Sequence, residues 1–347
     1  MTYDLATLGW TSYFARQLGP DDDALTPARV TAVHRAAVTL LTPAGEQTIP
    51  PFGEDETAPA TGDWVLLNPD GSLNRLMDRR GAIKRRAAGP EARVQLIAAN
   101  IDTLFIVTSC NADFNVARLE RYLALALEAG AIPVIVLTKV DLADDPAPFL
   151  RDANRLMPDI MVEVLNAKDA EDVERLRPWC GPGQTVAFMG SSGVGKSTLV
   201  NGLLGEERVE TQAIREADAK GRHTTTARAL HRLPSGGWLL DTPGMREIQL
   251  TDVAEGIGEV FADLSDLAEQ CRFNDCAHET EPGCAVRAAV DAGEIEESRF
   301  RRWLKLTEED ARNTVTTAER RKRERTLQKV YKSGQKRGRQ KRRLDEE

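Results

Sequence analysis

A glycine-rich segment from Gly190 to Thr198 (GSSGVGKST) has the residue types and spacing of a phosphate-binding loop. An apolar run (QTVAFM) precedes it and helix-forming residues (STLVNGLL) follow it, which is the strand, loop and helix context that such a loop requires. In this arrangement Lys196 contacts the β- and γ-phosphates of a nucleotide and Ser197 contacts Mg²⁺. The predicted phosphate-binding residues of the loop are Gly190, Ser191, Ser192, Gly193, Val194, Gly195, Lys196, Ser197 and Thr198.

The sequence TKVD, Thr138 to Asp141, follows another apolar run (IPVIVL) and is similar to a guanine-reading motif. The Asp141 carboxylate matches the two N–H donors of guanine, and the stem of Lys139 packs along the purine. Adenine has no equivalent pair of donors, so the wrong base would leave a buried carboxylate without a partner. Residues after a third apolar run (MVEVL) are candidates for a second guanine loop. The predicted guanine-binding residues are Thr138, Lys139, Val140, Asp141, Asn166 and Ala167.

The motif DTPG, Asp241 to Gly244, follows the strand-like run GWLL. We expect Asp241 to hold Mg²⁺ through water and the Gly244 amide to contact the γ-phosphate. The polar stretch before it ends in GRHTTT and has the composition of a switch loop, in which Thr225, or Thr224 one place earlier, closes over Mg²⁺. The predicted magnesium ligands, with GTP, are Ser197, Thr225 and Asp241.

The residue that orients the attacking water is left open by the sequence. Met245 stands shortly after DTPG, where many GTPases have Gln, and this predicts slow hydrolysis by the chain alone and acceleration by a partner. His223 in GRHTTT is the best local substitute, and a solvent-exposed loop histidine is the alternative interpretation. The predicted catalytic residues are His223, Thr225 and Lys196.

Three of the five cysteines lie close together with one histidine, in the pattern Cys-x4-Cys-x-His-x5-Cys. Three thiolates and one imidazole fill the tetrahedral shell of Zn²⁺ without an open position, which is typical of a structural site. We therefore predict one structural zinc per chain. We expect the other two cysteines, Cys110 and Cys180, to be small buried residues. The predicted zinc ligands are Cys271, Cys276, His278 and Cys284.

Composition indicates a multi-domain cytoplasmic protein. The chain has 347 residues, 41% of them hydrophobic, and neither an apolar run long enough for a membrane span nor an N-terminal export signal. The formal net charge is −8, yet the segment from Glu319 to Arg343 contains 13 Lys or Arg against 2 Glu. A basic tail on an acidic body is typical of nucleic-acid binding, and a solvated tail without a partner is the alternative.

Periodicity predicts the elements that position these motifs. Residues 28–86 contain several short strand-like runs separated by turns, which indicates a barrel or sandwich. Residues 101–137 read as strand, amphipathic helix and strand, a βαβ unit with a parallel sheet. Trp64 and Phe52 are expected in the core, although stacking on bases is the alternative. The strand-like runs of the first unit are Ala28 to His34, Ala37 to Leu41, Asp63 to Leu67 and Ser72 to Met77.

The guanine-reading motif precedes the phosphate loop and DTPG, whereas most GTPases have the reverse order, so the domain is predicted to be circularly permuted. This order, with the cysteine cluster and the basic tail, resembles the RsgA family, also called YjeQ, circularly permuted GTPases that act in late maturation of the small ribosomal subunit. The resemblance spans roughly residues 30 to 290. Besides the motifs above, the residues that carry the resemblance are Gly62 to Val65, Ala99 to Asp102, Leu119 to Leu123 and GRHTTT.

The resemblance implies a multi-domain protein: an N-terminal β-barrel of the OB-fold type, a central α/β P-loop GTPase domain with permuted motif order, and a mainly helical zinc-binding domain with a basic tail. It implies binding of GTP and GDP, of the small ribosomal (30S) subunit and its 16S rRNA, and of other assembly factors, by a monomer. The expected division is 1–27 extension, 28–90 OB-fold RNA-binding domain, 91–250 GTPase domain, 251–318 zinc-binding domain and 319–347 tail.

Two other classes of function remain open from the residues. A nucleotide-dependent small-molecule kinase would share the phosphate loop, but TKVD and DTPG would then be coincidences. An RNA-binding module with little enzymatic role is the second alternative. We expect a GTPase that hydrolyses GTP to GDP and phosphate slowly alone and faster on the small subunit.

Overall fold

The computed structural model describes residues 3–54, 57–86, 94–205, 228–241 and 252–314. Within these ranges one sheet of eleven strands joins an N-terminal unit to an α/β unit, and a group of helices follows at the C-terminal end. None of the helices in the described ranges combines the length and apolar character that a membrane span requires. The basic tail and the predicted boundaries at residues 90 and 250 lie outside the described residues.

The N-terminal unit contains five antiparallel strands in the order β3-β2-β1-β4-β5. Alternate residues of these strands enclose a small apolar core that includes Val30, Leu40, Ile49 and Val65. This unit has the short strands that the sequence predicts, and also β3 (GEQTI), which the sequence did not indicate. The strands are β1 Thr26–Val33, β2 Val38–Thr42, β3 Gly45–Ile49, β4 Trp64–Leu67 and β5 Leu73–Leu76.

Residues of the predicted N-terminal extension pack against this unit. Leu8 and Phe14 are buried, and the Trp10 ring meets the Trp64 ring edge-on with centroids 4.9 Å apart. A short helix, α1 (Ser12–Ala15), lies in this segment. Trp64 is therefore a core residue, as the sequence predicts.

A second, separate hairpin leads into the α/β unit. It consists of β6 (Ala82–Arg86) and β7 (Val94–Ala99), paired antiparallel with Ala82 opposite Ala99. The sequence did not indicate this hairpin.

The α/β unit has the strand order β10-β9-β8-β11-β13-β12, with all neighbours parallel except β12. Its central strands β8 and β11 are buried throughout because helices cover both faces of the sheet. The strands are β8 Thr103–Ser109, β9 Ile132–Thr138, β10 Met161–Val164, β11 Thr185–Gly190, β12 Arg228–Arg232 and β13 Trp238–Asp241. The helices are α2 Val116–Glu128, α3 Ala147–Asn154, α4 Ala170–Glu174 and α5 Lys196–Leu204.

Alternation along β8 shows how the two faces are filled. Leu104 and Ile106 belong to the same core cluster as the apolar side of α2. Phe105 and Val107 face the other way, into the cluster that contains residues of α4 and α5. The predicted βαβ unit is confirmed in β8, α2 and β9, and β1 links the two units because it pairs with both β4 and β12.

Between residues 252 and 314 of the described chain, four helices form a C-terminal module, here called the helical module. The first of them crosses α2 closely, because a Cβ added at Gly256 would lie 2.1 Å from the carbonyl oxygen of Ala124. Phe261, Trp303 and Leu306 are buried at the centre of the module. The helices are α6 Ala254–Val260, α7 Ala262–Ala268, α8 Ala285–Asp291 and α9 over residues 297–314.

Candidate nucleotide site and zinc centre

The loop between β11 and α5 has the backbone of a phosphate-binding loop. Gly193 and Gly195 have φ values of 78° and 103°, which side-chain-bearing residues rarely adopt. At Gly190 a Cβ would lie 2.2 Å from the carbonyl oxygen of Val107, so only glycine fits beside β8. The Lys196 ammonium donates to the carbonyl oxygens of Gly190 at 2.8 Å and of Ser191. The loop is thus folded around the lysine that the sequence predicts to contact phosphate.

Thr138 ends β9 and ties the predicted base-reading segment to the phosphate loop. Its side chain is fully buried, and its hydroxyl donates to the carbonyl oxygen of Val194 (2.5 Å) and lies 3.1 Å from the carbonyl oxygen of Thr108. Lys139 follows with a left-handed backbone (φ 57°). This turn sends the chain into a short 3-10 helix in which Asp141 is exposed. The geometry gives a reason for threonine at position 138, because its hydroxyl joins two loops.

The second predicted guanine loop follows β10 and reaches the same place. Asn166 makes a side-chain turn, since its Oδ1 accepts from the amide of Lys168 at 3.0 Å. A Cβ added at Gly195 would lie 3.6 Å from the Ala167 Cβ and 3.6 Å from the Thr138 Oγ1. Three segments far apart in sequence therefore meet at the start of α5, as expected for a site that holds a base and its phosphates together.

Asp241 is the last residue of β13, which runs parallel to β11. The carboxyl ends of parallel strands lie at one edge of a sheet, so the Asp241 backbone is on the same edge as the phosphate loop. The Asp241 side chain lies outside the described part of the chain. The other predictions on this side, also outside the described residues, are His223, Thr224, Thr225, Thr242, Pro243, Gly244 and Met245.

One set of contacts at the phosphate loop was not predicted from the sequence. Arg118 in the first turn of α2 donates to the Ser191 hydroxyl, and Tyr122 one turn later lies close to that hydroxyl. Arg118 in turn contacts the Asp113 carboxylate at 3.2 Å. The i, i+4 spacing of Arg118 and Tyr122 places them on one helix face, but no sequence signal says which loop that face meets.

The four predicted zinc ligands form a cluster whose ligand atoms all lie within 4.8 Å of one another. Tetrahedral zinc with Zn–S of about 2.3 Å and Zn–N of about 2.0 Å requires S···S edges of about 3.8 Å and S···N edges of about 3.5 Å. The Cys271 and Cys284 sulfurs are 3.8 Å apart, and His278 Nδ1 lies 3.6 Å and 3.4 Å from them. The donor set and its spacing are therefore compatible with zinc.

The helical module holds this cluster from both sides. Cys271 follows α7, and Cys284 caps α8, where its sulfur accepts from the amide of Arg287 at 3.4 Å. The His278 ring packs against the Trp303 ring of α9, with centroids 5.1 Å apart. Burial lowers the pKa of His278, which favours the neutral imidazole that binds metal.

The two remaining cysteines are buried, as predicted. Burial raises the pKa of Cys110, and it raises the pKa of Cys180 to about 12. Both thiols therefore stay protonated near neutral pH, and they lie outside the Cys/His cluster found in the described residues.

The strand order and the convergence of Thr138, Ala167 and Gly195 define a P-loop nucleotide-binding domain in which the predicted base-reading segments precede the phosphate loop. A family model described as RsgA GTPase matches residues 76–251, which include all three predicted nucleotide motifs. A second model, described as ABC transporter, matches residues 174–331. That stretch contains the phosphate loop that P-loop proteins share, but not TKVD.

Relatives extend the match to most of the chain. A small ribosomal subunit biogenesis GTPase RsgA 2 of Vibrio parahaemolyticus is 51% identical over 329 residues, covering 94% of this chain and 91% of the relative. A small ribosomal subunit biogenesis GTPase RsgA of Mesorhizobium japonicum is 50% identical over 315 residues, covering 89% and 91%. The chain belongs to the RsgA GTPase family and is a GTP hydrolase.

Solved structures have the same fold. YjeQ from Thermotoga maritima is 25% identical, with a TM-score of 0.60 over 81% of this chain and 97% of that one. YloQ, described as a circularly permuted GTPase, gives a TM-score of 0.58 at 22% identity over 85% and 98%. Neither the kinase nor the RNA-binding module without enzymatic role is favoured by these matches.

Proposed function

We propose that this GTPase acts in biogenesis of the small ribosomal subunit, where its nucleotide state sets how long it stays bound. The nucleotide part of the proposal is supported by the hydrogen bond between Thr138 and Val194, which joins the predicted guanine-reading segment to the phosphate loop. The names of the close relatives supply the ribosomal context.

In the proposed reaction, Asp141 selects guanine and Lys196 stabilises the negative charge that develops on the β- and γ-phosphates. Mg²⁺, when bound with GTP, neutralises phosphate charge, and its proposed ligands are Ser197, Thr225 and Asp241. Gly244 contacts the γ-phosphate through its amide. His223 orients the attacking water when the switch loop closes. Phosphoryl transfer needs little covalent help, so this ordering of groups is the main contribution of the chain.

The N-terminal unit is proposed to be an OB-fold that contacts 16S rRNA. The position of β1 between β2 and β4, and the single core that the five strands share, support this assignment. The basic segment from Glu319 to Arg343 adds salt-dependent attraction to RNA phosphates. We further propose that the protein is a cytoplasmic monomer that works alongside other assembly factors.

Zinc is proposed to have a structural role, with one ion per chain. Cys271, Cys276, His278 and Cys284 fill four coordination positions, which leaves none for a substrate. The cluster joins α7, α8 and α9, so the ion would stabilise the fold of the helical module.

Sedimentation with purified ribosomal subunits tests the proposal. Protein loaded with a non-hydrolysable GTP analogue should sediment with small subunits, and protein loaded with GDP should largely stay in the supernatant. Large subunits serve as the control, and Lys196→Ala should lose the difference between nucleotides. Equal sedimentation with both subunits, or no dependence on nucleotide in the unaltered protein, would contradict the proposal.

A further inference from the structure

Helix α2 contacts both the phosphate loop and the helical module, and each end of this connection is made by charged or hydroxyl side chains. In its first turn, Arg118 contacts the phosphate loop. In its middle, Glu120 and Arg121 contact α9. In its last turn, Glu128 contacts α6. The covalent link from DTPG to the helical module is therefore accompanied by a second, packed connection.

At the loop end, Ser191 is held from two directions. Its carbonyl oxygen accepts from the Lys196 ammonium, while its hydroxyl contacts Arg118 and Tyr122 of α2. Asp113 fixes the Arg118 guanidinium, since its carboxylate and its carbonyl oxygen both accept from Arg118, at 3.2 Å and 2.7 Å. A shift of Arg118 would therefore move the residue that also positions the phosphate-binding lysine.

At the module end, two neighbouring side chains of the same helix make ion pairs with α9. Arg121 makes a bidentate pair with Glu309, with both N···O distances 2.6 Å. Glu120 is fully buried and contacts Arg302 at 2.7 Å and Arg299 at 3.6 Å. Arg299 continues to Asp263 of α7 at 2.8 Å.

Burial makes these contacts difficult to break. Desolvation raises the pKa of Glu120, and Arg302 and Arg299 oppose that rise by stabilising the carboxylate. Separation of α9 from α2 would break all three ion pairs at once. Helix α2 and the helical module therefore move together, and the position of α2 is linked to the position of Ser191.

We propose that Arg118 is a positioning residue of the phosphate loop and that α2 couples nucleotide binding to the seating of the helical module on the α/β unit. Such coupling is reciprocal. If bound nucleotide strengthens the contact between the helical module and the α/β unit by some factor, loosening that contact weakens nucleotide binding by the same factor. The inference concerns the chain alone and does not depend on the proposed ribosomal role.

A double-mutant cycle on GDP affinity tests the coupling. Glu309→Gln removes one charge of a partly exposed pair and keeps the shape of the side chain, and Arg118→Gln removes the contact with Ser191. We expect Glu309→Gln to weaken GDP binding about fivefold in the unaltered background, the scale of a coupling between sites. It should cause no further loss in the Arg118→Gln background, and Arg118→Lys should bind GDP more tightly than Arg118→Gln.

Two measurements separate coupling from general loss of structure. Thermal midpoints without nucleotide identify a temperature at which all variants are folded, and titrations with fluorescent GDP are made there. Arg151→Gln, an exposed arginine on α3, is the control and should bind GDP like the unaltered protein. An equal effect of Glu309→Gln in both backgrounds, or unaltered GDP affinity of either single variant, would overturn the proposal.

Discussion

The hydroxyl of Thr138 donates to the carbonyl oxygen of Val194 over 2.5 Å, although the two residues are 56 positions apart. This contact joins the end of β9 to the turn that precedes α5. In this chain the predicted base-reading segment comes before the phosphate loop in sequence. The contact between Thr138 and Val194 holds these two distant segments together.

Replacement of Thr138 by Val should weaken GDP binding about tenfold, because a buried carbonyl oxygen without its donor costs about 1–3 kcal/mol. Selectivity for GDP over ADP should persist, since Asp141 is unchanged. Competition titrations measure both. The matched control is Thr31→Val, which removes a hydroxyl bonded to the Thr39 carbonyl oxygen in the N-terminal unit and should leave GDP affinity unaltered. Equal losses in the two variants would argue against a role of Thr138 in the site.

Asp141→Asn should move nucleotide preference from guanine toward xanthine. The amide replaces one acceptor by a donor, and xanthine offers an acceptor where guanine has its N2 amino group. Competition of GDP and XDP for the variant gives the preference directly. Asp144→Asn removes an exposed charge three residues away and should keep guanine selectivity. If the unaltered protein bound ATP as tightly as GTP, the guanine-reading assignment of Asp141 would be wrong.

Cys276→Ser should abolish stoichiometric zinc and loosen the helical module. A structural zinc contributes on the order of 10 kcal/mol to the folding of a small module. Metal analysis and helix content by circular dichroism report the loss, and GDP should still bind because the phosphate and base loops lie outside the module. Cys180→Ala, which removes a buried thiol elsewhere, should retain one zinc per chain. Freshly purified protein without zinc would refute the site.

Asp63→Ala should lower the free energy of unfolding of the N-terminal unit by about 3–5 kcal/mol. Asp63 is fully buried, and both of its oxygens lie 2.7 Å from Arg79 nitrogens, so its removal takes the carboxylate partner from a mostly buried guanidinium. Denaturant titration followed by tryptophan fluorescence measures the change. Asp22→Ala breaks a more exposed pair with Arg75 and should have a much smaller effect. Similar losses for both would contradict this interpretation.

The sequence predicts best the elements in which local pattern and burial agree. The apolar run of β9 and the amphipathic pattern of α2 appear at the predicted positions, because parallel strands and helices in the core require them. Strand β3 (GEQTI) is mostly polar and begins with glycine, so alternation alone does not reveal it. The zinc cluster was found because three cysteines and a histidine have few other uses at that spacing.

Contacts between distant segments could not be predicted in the same way. Tyr122 is buried on the amphipathic helix α2, but its closeness to Ser191 depends on how α2 crosses the sheet. The partner of Glu120 on α9 likewise depends on the packing of the helical module. Such pairs follow from tertiary geometry, which no local pattern specifies.

The rate of GTP hydrolysis with and without purified small ribosomal subunits tests the central claim most directly. Alone, the chain should turn over slowly because Met245 stands where many GTPases have a water-orienting Gln. Small subunits should accelerate hydrolysis by roughly a thousandfold, equivalent to about 4 kcal/mol of barrier, by ordering the switch loop around the attacking water. His223→Ala should lose most of that stimulation if His223 orients the water. Equal rates with and without small subunits would contradict the account.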